Sequence, residues 1–555
     1  MLSIIRSQII SLIEASLKGL GPLMEKPSVI VEPPSLKEHG DLACSLCLQL
    51  AKPLRKNPFD IAILLKEEVL KRIPDSPLKG KIREVEAVRP GFLNFHLEPA
   101  AYWPLISEIL TKGKDYGRTA AGKGRRVLVE FVSANPTGPL TVAHARQAAV
   151  GDVLVNILNF TGHHAEREFY VNDGGNQIRT LGLSVQLRTR EHFGVSVEYP
   201  EDCYQGEYIR DIARLFAEKK GMGGLADVEA VPFEEYCSFA KNYLMDVIRE
   251  DLRIFRVHFD NWSLESQVAS TDKIVKTLED LKATGFLYEK EGALWFSSTR
   301  FGDDKDRVVR KSDGLFTYLA PDIVYHKHKY ERGFDLLVDI LGPDHHGYIP
   351  RIKAAAQALG KDAGALEVLI IQLATIFRDG KQLRMSTRAG EFITLREVAR
   401  EVGTDAGRFF MLMRQVSQQM EFDIDLAKKQ APENPVYYVQ YAHARIHSII
   451  RKAKDEGFVP ADTIAHLSEE SEIDLLKKLG EFSDVLELCA RQLDPATLPR
   501  YMQDLAALFH KFYDRCRVID ADKILASERL ALIDAVRVVL ANGLGILGIS
   551  APEKM

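Results

Sequence analysis

Between Arg126 and Phe131 the chain reads RVLVEF, an apolar run broken only by Glu130 and of the length of a buried strand. A polar loop follows. Then Val150, Val153, Leu154, Ile157 and Leu158 recur at helical spacing, as one stripe of a helix. EFYV (residues 168–171) reads as a second strand, and FDLLVDIL (334–341) and LEVLIIQL (366–373) as two more, each followed by a polar loop. Strand, helix, strand in that order predicts an α/β fold with a doubly wound parallel sheet. The charged helical stretch at about 175–290 reads as an insertion, and from Thr394 the pattern turns helical and stays so, with Thr394 and Glu397 in capping-box positions. Before Gly117, helix patterns mix with short strands such as SVIVE and GFLNFHL, and the glycine-rich, basic stretch TKGKDYGRTAAGKGRR reads as a linker. The predicted division is a small α+β domain over 1–117, a parallel-sheet core over 118–400 and an all-α bundle over 401–555.

Composition refines this only slightly. A chain of 555 residues predicts about two to four domains. With 46% hydrophobic and 27% charged residues and a net charge of -5, it is no generic polycation, although a local nucleic-acid surface is compatible with that balance. Of the six cysteines only Cys44 and Cys47 are close in sequence; with no second pair for zinc, they read as small buried side chains, and the cysteine usage points to a reducing, cytosolic setting. The apolar N-terminus carries Arg6 and Glu14 and reads as an amphipathic helix, not a signal peptide. No uncharged run reaches the roughly 20 residues a bilayer crossing needs.

A parallel sheet binds ligands at the carboxyl ends of its strands, which singles out the loops after Phe131, Val171, Leu341 and Leu373. In the first, ANPTGPLTVAHAR, Pro136 and Pro139 stiffen the chain, Thr141 is placed to cap a helix, and His144 falls in its first turn. Such a helix start could hold a phosphate, or could be a capped helix with a surface histidine. The second, VNDGGNQI, offers Asn172, Asp173, Asn176 and Gln177 around two glycines, or is a solvated turn. The third, LGPDHHGY, presents Asp344, His345 and His346 as a polar substrate wall; adjacent histidines usually diverge, so no metal site is expected. The fourth, RDGKQLRMSTRAG, gathers Lys381, Arg384 and Arg388 with the hydroxyls of Ser386 and Thr387, which suits a polyphosphate or a solvated basic loop. Neither a Walker A pattern nor G-x-G-x-x-G is present. Tyr318 and Asp322 stand four apart, on one face if helical, and could receive a cationic head group; a guanidinium would also account for Glu130 inside a buried strand.

Taken together, SANPTGPL, YVNDGGNQI, DGLFTYLAPDIVYH, LGPDHHGYIPRIKA, MSTRAGEFITLREV, NPVYYVQYAHAR and the terminal APEKM resemble the arginyl-tRNA synthetases, of class I, over nearly the whole chain. The first loop is similar to the HIGH signature of that class and RMST to its KMSK loop. The resemblance implies a Rossmann-like catalytic core, an N-terminal domain touching the tRNA corner and a helical anticodon-binding domain. It implies arginyl-adenylate formation from L-arginine and ATP, then transfer to tRNA(Arg). Carried over, Glu130, Asn135, Tyr318, Asp322 and His345 would meet arginine. Ala143, His144, Asp344, Met385 and Arg388 would meet ATP. His144, Thr141, Lys381, Arg384 and Ser386 would serve the phosphoryl chemistry, and Tyr437, Tyr441 and Met555 the tRNA. Mg2+ would accompany ATP, with no prosthetic group, no membrane and no dedicated metal site, in a cytoplasmic monomer. Thr141 stands where the signature's first histidine would be and Ala143 where its glycine would be; Arg384 and Thr387 replace the two lysines of the second. A non-catalytic RNA-binding relative and an adenylyl-transferring enzyme for another small molecule are the rival readings.

Overall fold

The computed structural model describes residues 2–20, 27–34, 36–383, 393–520 and 522–555. Its centre is a five-stranded sheet: β1 (Arg126–Glu130), β2 (His164–Val171), β3 (Asn261–Leu264), β4 (Leu336–Leu341) and β5 (Leu366–Ile370). All pairs are parallel, in the spatial order β5-β4-β1-β2-β3. The strand order therefore reverses between β1 and β4, where a doubly wound sheet opens a crevice at its carboxyl edge. In the β1–β4 ladder Glu130 pairs with Asp339, and in the β1–β2 ladder Glu130 pairs with Glu168. Three carboxylates thus stand in one row across the sheet.

Helix α1 (Val142–Phe160) connects β1 to β2. The expected stripe is buried, but so are Ala145, Arg146, Ala148, Ala149, Asp152 and Val155: α1 is enclosed on nearly all sides rather than amphipathic. Two features explain how it fits. At Gly151 a methyl group would come within 2.2 Å of the Phe131 ring, so only a glycine lets the helix lie against the end of β1. Buried Arg146 donates from its two terminal nitrogens to the carbonyls of Gln372 (2.6 Å), Gln418 (2.9 Å), Gln415 (2.9 Å) and Arg414 (3.4 Å), which offsets most of the cost of burying a guanidinium.

The region read as a helical insertion is helical only in part. Helices Gly175–His192, Glu207–Lys220, Leu225–Ala230 and Phe233–Ile254 occupy it, but Asn261–Leu264 is the edge strand β3, and Leu287–Lys290 begins an antiparallel three-stranded sheet with Ala293–Phe296 and Arg307–Arg310. These strands are short and half-exposed, so they lack the continuous apolar signature of the inner strands. Likewise the chain beyond Thr394 is not all helix. Met420–Asp423 pairs in parallel with Ala374–Arg378, so residues past 400 return to the sheet-bearing unit through a long-range pairing that local periodicity does not encode. Before the core, Val31–Glu32, Leu42–Cys44, Phe92–Leu97 and Ile82–Val88 form an antiparallel sheet with helices Leu46–Leu54 and Pro58–Arg72 beside it, an α+β unit. Cys44 ends a strand and Cys47 lies in the next helix; both are buried free thiols. After the core come helices α3 (Pro435–Asp455), Glu470–Gly480, Phe482–Gln492, Thr497–Arg515 and Lys523–Ile546. Among the described residues no helix is long and apolar enough to cross a membrane.

Candidate active site

At the point where strand order reverses lies a cavity of about 400 Å³. One side is formed by the chain leaving β1. Val132 (φ 67°) and Ser133 (φ 38°) both adopt left-handed backbone, turning the chain sharply off the strand. Ser133 Oγ donates to Glu130 Oε1 (2.9 Å) and accepts from the Tyr170 amide (3.0 Å), which fixes that turn. Strained residues beside a cavity fit a binding site better than a plain loop. Exposed Asn135 stands in the wall at this side.

The loop closes at α1. Thr141 takes the extended N-cap conformation and its amide donates to His144 Nδ1 (3.0 Å). Because Nδ1 accepts, the ring proton sits on Nε2, which leaves a neutral donor at the cavity. Burial pushes the His144 pKa down to about 4. Thr141 and Ala143 are not in the cavity wall. Thr141 instead serves as an anchor: Val142 N–H donates to the Ile393 carbonyl (3.1 Å) and Leu395 N–H to the Leu140 carbonyl (2.8 Å), tying this loop to the chain after the basic fourth loop.

Two members of the acidic row, Glu130 and Asp339, stand in the cavity wall, with Glu168 buried behind them. Lys329, 0% exposed, comes from helix α2 (Leu319–Glu331) and donates to Glu130 Oε2 (2.5 Å) and Asp339 Oδ1 (2.9 Å). Glu168 receives the Tyr325 hydroxyl (2.6 Å) and Arg332. The expectation that a ligand guanidinium accounts for buried Glu130 is therefore corrected: an internal ammonium neutralises it. The Lys329 charge is held by its two acids, and Asp339, beside Lys329 and His326, stays well below the usual carboxylate range.

Asp322, also in the wall, differs. It comes from the first turn of α2 and receives the Tyr348 hydroxyl, and no cation lies within ion-pair distance of it among the described residues. Burial pushes its pKa up to about 6, against the hydrogen bond from Tyr348. The phenol expected here was Tyr318, which is 88% exposed and outside the wall. It precedes the first turn of α2 and points to solvent, whereas Tyr348 reaches Asp322 from the segment after β4. Asp344 and His345 stand in the wall at the open side, with His345 Nε2 3.4 Å from Asp344 Oδ2.

The other expected residues lie elsewhere. Asp173 is engaged inside the fold: it accepts from Ser266 N (3.0 Å) and Ser266 Oγ (2.7 Å) at the start of the helix Glu265–Val268, and it is not in the cavity wall. Lys381 is exposed on the two-residue strand Lys381–Gln382 and not in the cavity wall; Arg384, Met385, Ser386, Thr387 and Arg388 lie outside the described residues. On α3, Tyr437 and Tyr441 stack with centroids 6.1 Å apart and planes 9° apart. Tyr437 and Met555 line a surface depression of about 580 Å³ with Arg256, Lys428 and Lys429, and Tyr441 is exposed beneath the Arg445 guanidinium. These aromatics are surface groups, not a core stripe. Sequence reasoning did not single out Lys329, Tyr348 or Gln147. Lys329 stands two helical turns beyond Asp322, but its partner Glu130 is 199 residues away, so local spacing carries no signal for it. Among the described residues no cluster of His, Cys, Asp and Glu could hold a metal.

Comparison with known proteins matches three family models in chain order: the arginyl tRNA synthetase N terminal domain at 7–97, the class I (R) tRNA synthetase catalytic domain at 105–423 and the DALR anticodon binding domain at 439–555. The chain is 47% identical to an arginine–tRNA ligase of Desulfosudis oleivorans over 547 residues, 97% of each chain. It is 44% identical to an arginine–tRNA ligase of Bacillus subtilis over 540 residues, covering 97% of this chain and 96% of the relative. Its fold is similar to that of the Thermus thermophilus arginyl-tRNA synthetase, with a TM-score of 0.72 at 24% identity, over 99% of this chain and 100% of that one.

Proposed function

The chain belongs to the arginyl-tRNA synthetase family and is an ATP-dependent ligase that charges tRNA with arginine; from that premise we propose how its residues divide the work. The observation that carries the proposal is Asp322, a half-buried carboxylate at the cavity with a phenol beside it and no cation paired to it among the described residues. It receives the arginine guanidinium, the one cation chemistry that matches a planar carboxylate with two parallel hydrogen bonds. Glu130, held by Lys329 and Ser133, shapes the same end, and Asn135 and His345 meet the amino acid's remaining polar groups.

The arginine carboxylate attacks the α-phosphate of ATP in line, forming the arginyl-adenylate and releasing pyrophosphate. A hydroxyl of the tRNA 3′ end then attacks the adenylate carbonyl and AMP departs. The protein's part is positioning and charge stabilisation. His144 donates its Nε2 proton as a hydrogen bond to a phosphoryl oxygen, neutral throughout because its pKa lies far below physiological pH. Thr141 serves by fixing that ring. Ala143, Asp344, Met385 and Arg388 surround the nucleotide, and Lys381, Arg384 and Ser386 supply the cations and the hydroxyl for the pyrophosphate. Mg2+ enters with ATP as part of the substrate. Tyr437, Tyr441 and Met555 contact the tRNA, where exposed aromatics can stack on splayed bases. The chain acts as a cytoplasmic monomer in this proposal, without a prosthetic group.

Arginine-dependent ATP–pyrophosphate exchange, run with and without tRNA, tests the reading. Exchange is expected in at least one condition. Its absence from both, with folded protein, would favour the non-catalytic rival. Exchange that persists, with product still formed on a non-tRNA acceptor, after removal of the C-terminal helices would favour the other.

A further inference from the structure

Gln147 follows His144 by three residues on α1, so both side chains emerge on the same edge of the helix, and both stand in the cavity wall. Around it the polar groups are already engaged: His144 Nδ1 with Thr141, Glu130 with Lys329, Asp322 with Tyr348. The Gln147 amide makes no hydrogen bond to any described residue, although it is half-buried. A partly buried, unsatisfied amide beside a cavity is a group waiting for a ligand or water.

Gly342, the residue after β4, leaves open space beside that amide. A methyl group built on Gly342 would lie 2.7 Å from Asp344 Oδ1 and 3.9 Å from Gln147 Nε2. The carboxylate of Asp344 and the amide of Gln147 therefore border the same space over the bare glycine, and both stand in the cavity wall. Asp322 takes the cationic end of the substrates, so this space falls to the nucleotide. A carboxylate that only accepts, beside an amide that donates and accepts, complements a vicinal diol: one hydroxyl hydrogen to Asp344, and a hydroxyl oxygen receiving from Gln147 Nε2.

We propose that Gln147, beside Asp344 over Gly342, is a specificity-determining contact for the ribose diol of ATP. The inference rests on the arginine–tRNA ligase reading and adds a residue to it. It is tested on the full-length chain by arginine-dependent ATP–pyrophosphate exchange with tRNA present, using ATP, 2′-deoxy-ATP and 3′-deoxy-ATP. Gln147→Ala is expected to raise the KM for ATP about tenfold, the worth of one hydrogen bond in a partly desolvated site, and to leave the KM for arginine within about twofold. The preference for ATP over one of the deoxy analogues should shrink by the same factor, because the analogue never made the bond. Gln147→Met, which keeps the volume, should behave alike, separating the lost amide from lost packing.

Equal losses with ATP and both analogues would overturn the proposal, as would a shift confined to arginine. So would unchanged exchange with slowed transfer to tRNA, which would assign the amide to the terminal ribose of the nucleic acid. Absence of exchange in the unmodified protein would instead overturn the reading on which the proposal stands, so the two failures are distinguishable.

Discussion

Glu130, Asp339 and Asp322, three of the four carboxylates in the cavity wall, are treated in two ways. Glu130 and Asp339 share the buried ammonium of Lys329, whereas Asp322 has only a phenol. The first pair is an internal charge network and needs nothing from outside. The second is an acid kept in a costly state, its pKa raised to about 6 by burial. On the proposed function the difference separates scaffold from receptor: where the protein has supplied the cation, the site is closed, and at Asp322 the arginine guanidinium would bring it.

The largest effect is expected from removing the shared cation. Lys329→Met leaves Glu130 without its cation and Asp339 with His326 alone, and should cost about 3–5 kcal/mol, read as a lowered urea midpoint. Adding Glu130→Gln should recover part of that loss; no recovery would mean that Lys329 acts through packing alone. Asp322→Asn should behave oppositely. It removes a carboxylate that is unfavourably buried, so stability should hold or rise slightly, while kcat/KM for arginine falls about a hundredfold or more. Equal damage from both variants to stability would erase the distinction.

Acidity sharpens it further. Asp322 titrates from about 6 when folded, above its usual 3.8, so protonation below that point removes the charge that pairs with a guanidinium. The arginine KM should be flat above pH 7 and climb by up to about tenfold per unit below 6. Through this group acidification from pH 6 to 4 stabilises the fold, since the native state binds the extra proton. His144 has the reverse sign: with its pKa lowered from 6.5 to about 4, stability falls as pH drops through that window. The binding profile and the unfolding profile should thus diverge. The smallest effect belongs to Tyr348→Phe. Loss of its hydrogen bond should raise the arginine KM a few-fold and move the midpoint of the pH profile upward.

The parallel core was legible because its inner strands are buried on both faces and read as apolar runs interrupted only by single acids, Glu130 in β1 and Asp339 in β4; β3 and the strand at Met420–Asp423 were not, being short and half-polar. Asp322 and His144 could be singled out from local spacing. Lys329 and Tyr348 could not be weighed so, because their importance lies in partners far along the chain: Glu130 is 199 residues from Lys329. Glu130 itself was correctly read as an acid needing a partner, but an internal and an external cation look alike in sequence. For Thr141 the reading changed most: judged by position it suggests a lost phosphate donor, and in the structure it orients His144.

The two backbone ties from Leu140 and Val142 to the chain at Ile393 and Leu395 have a mechanical corollary. Whatever path residues 384–392 follow, one end leaves the hairpin at Leu383 and the other is moored to the helix that carries His144. Their residue count then acts as a ruler between two fixed posts. Each residue added or removed between Leu383 and Ile393 changes the greatest distance the chain could bridge by about 3.5 Å, while the posts themselves are left standing.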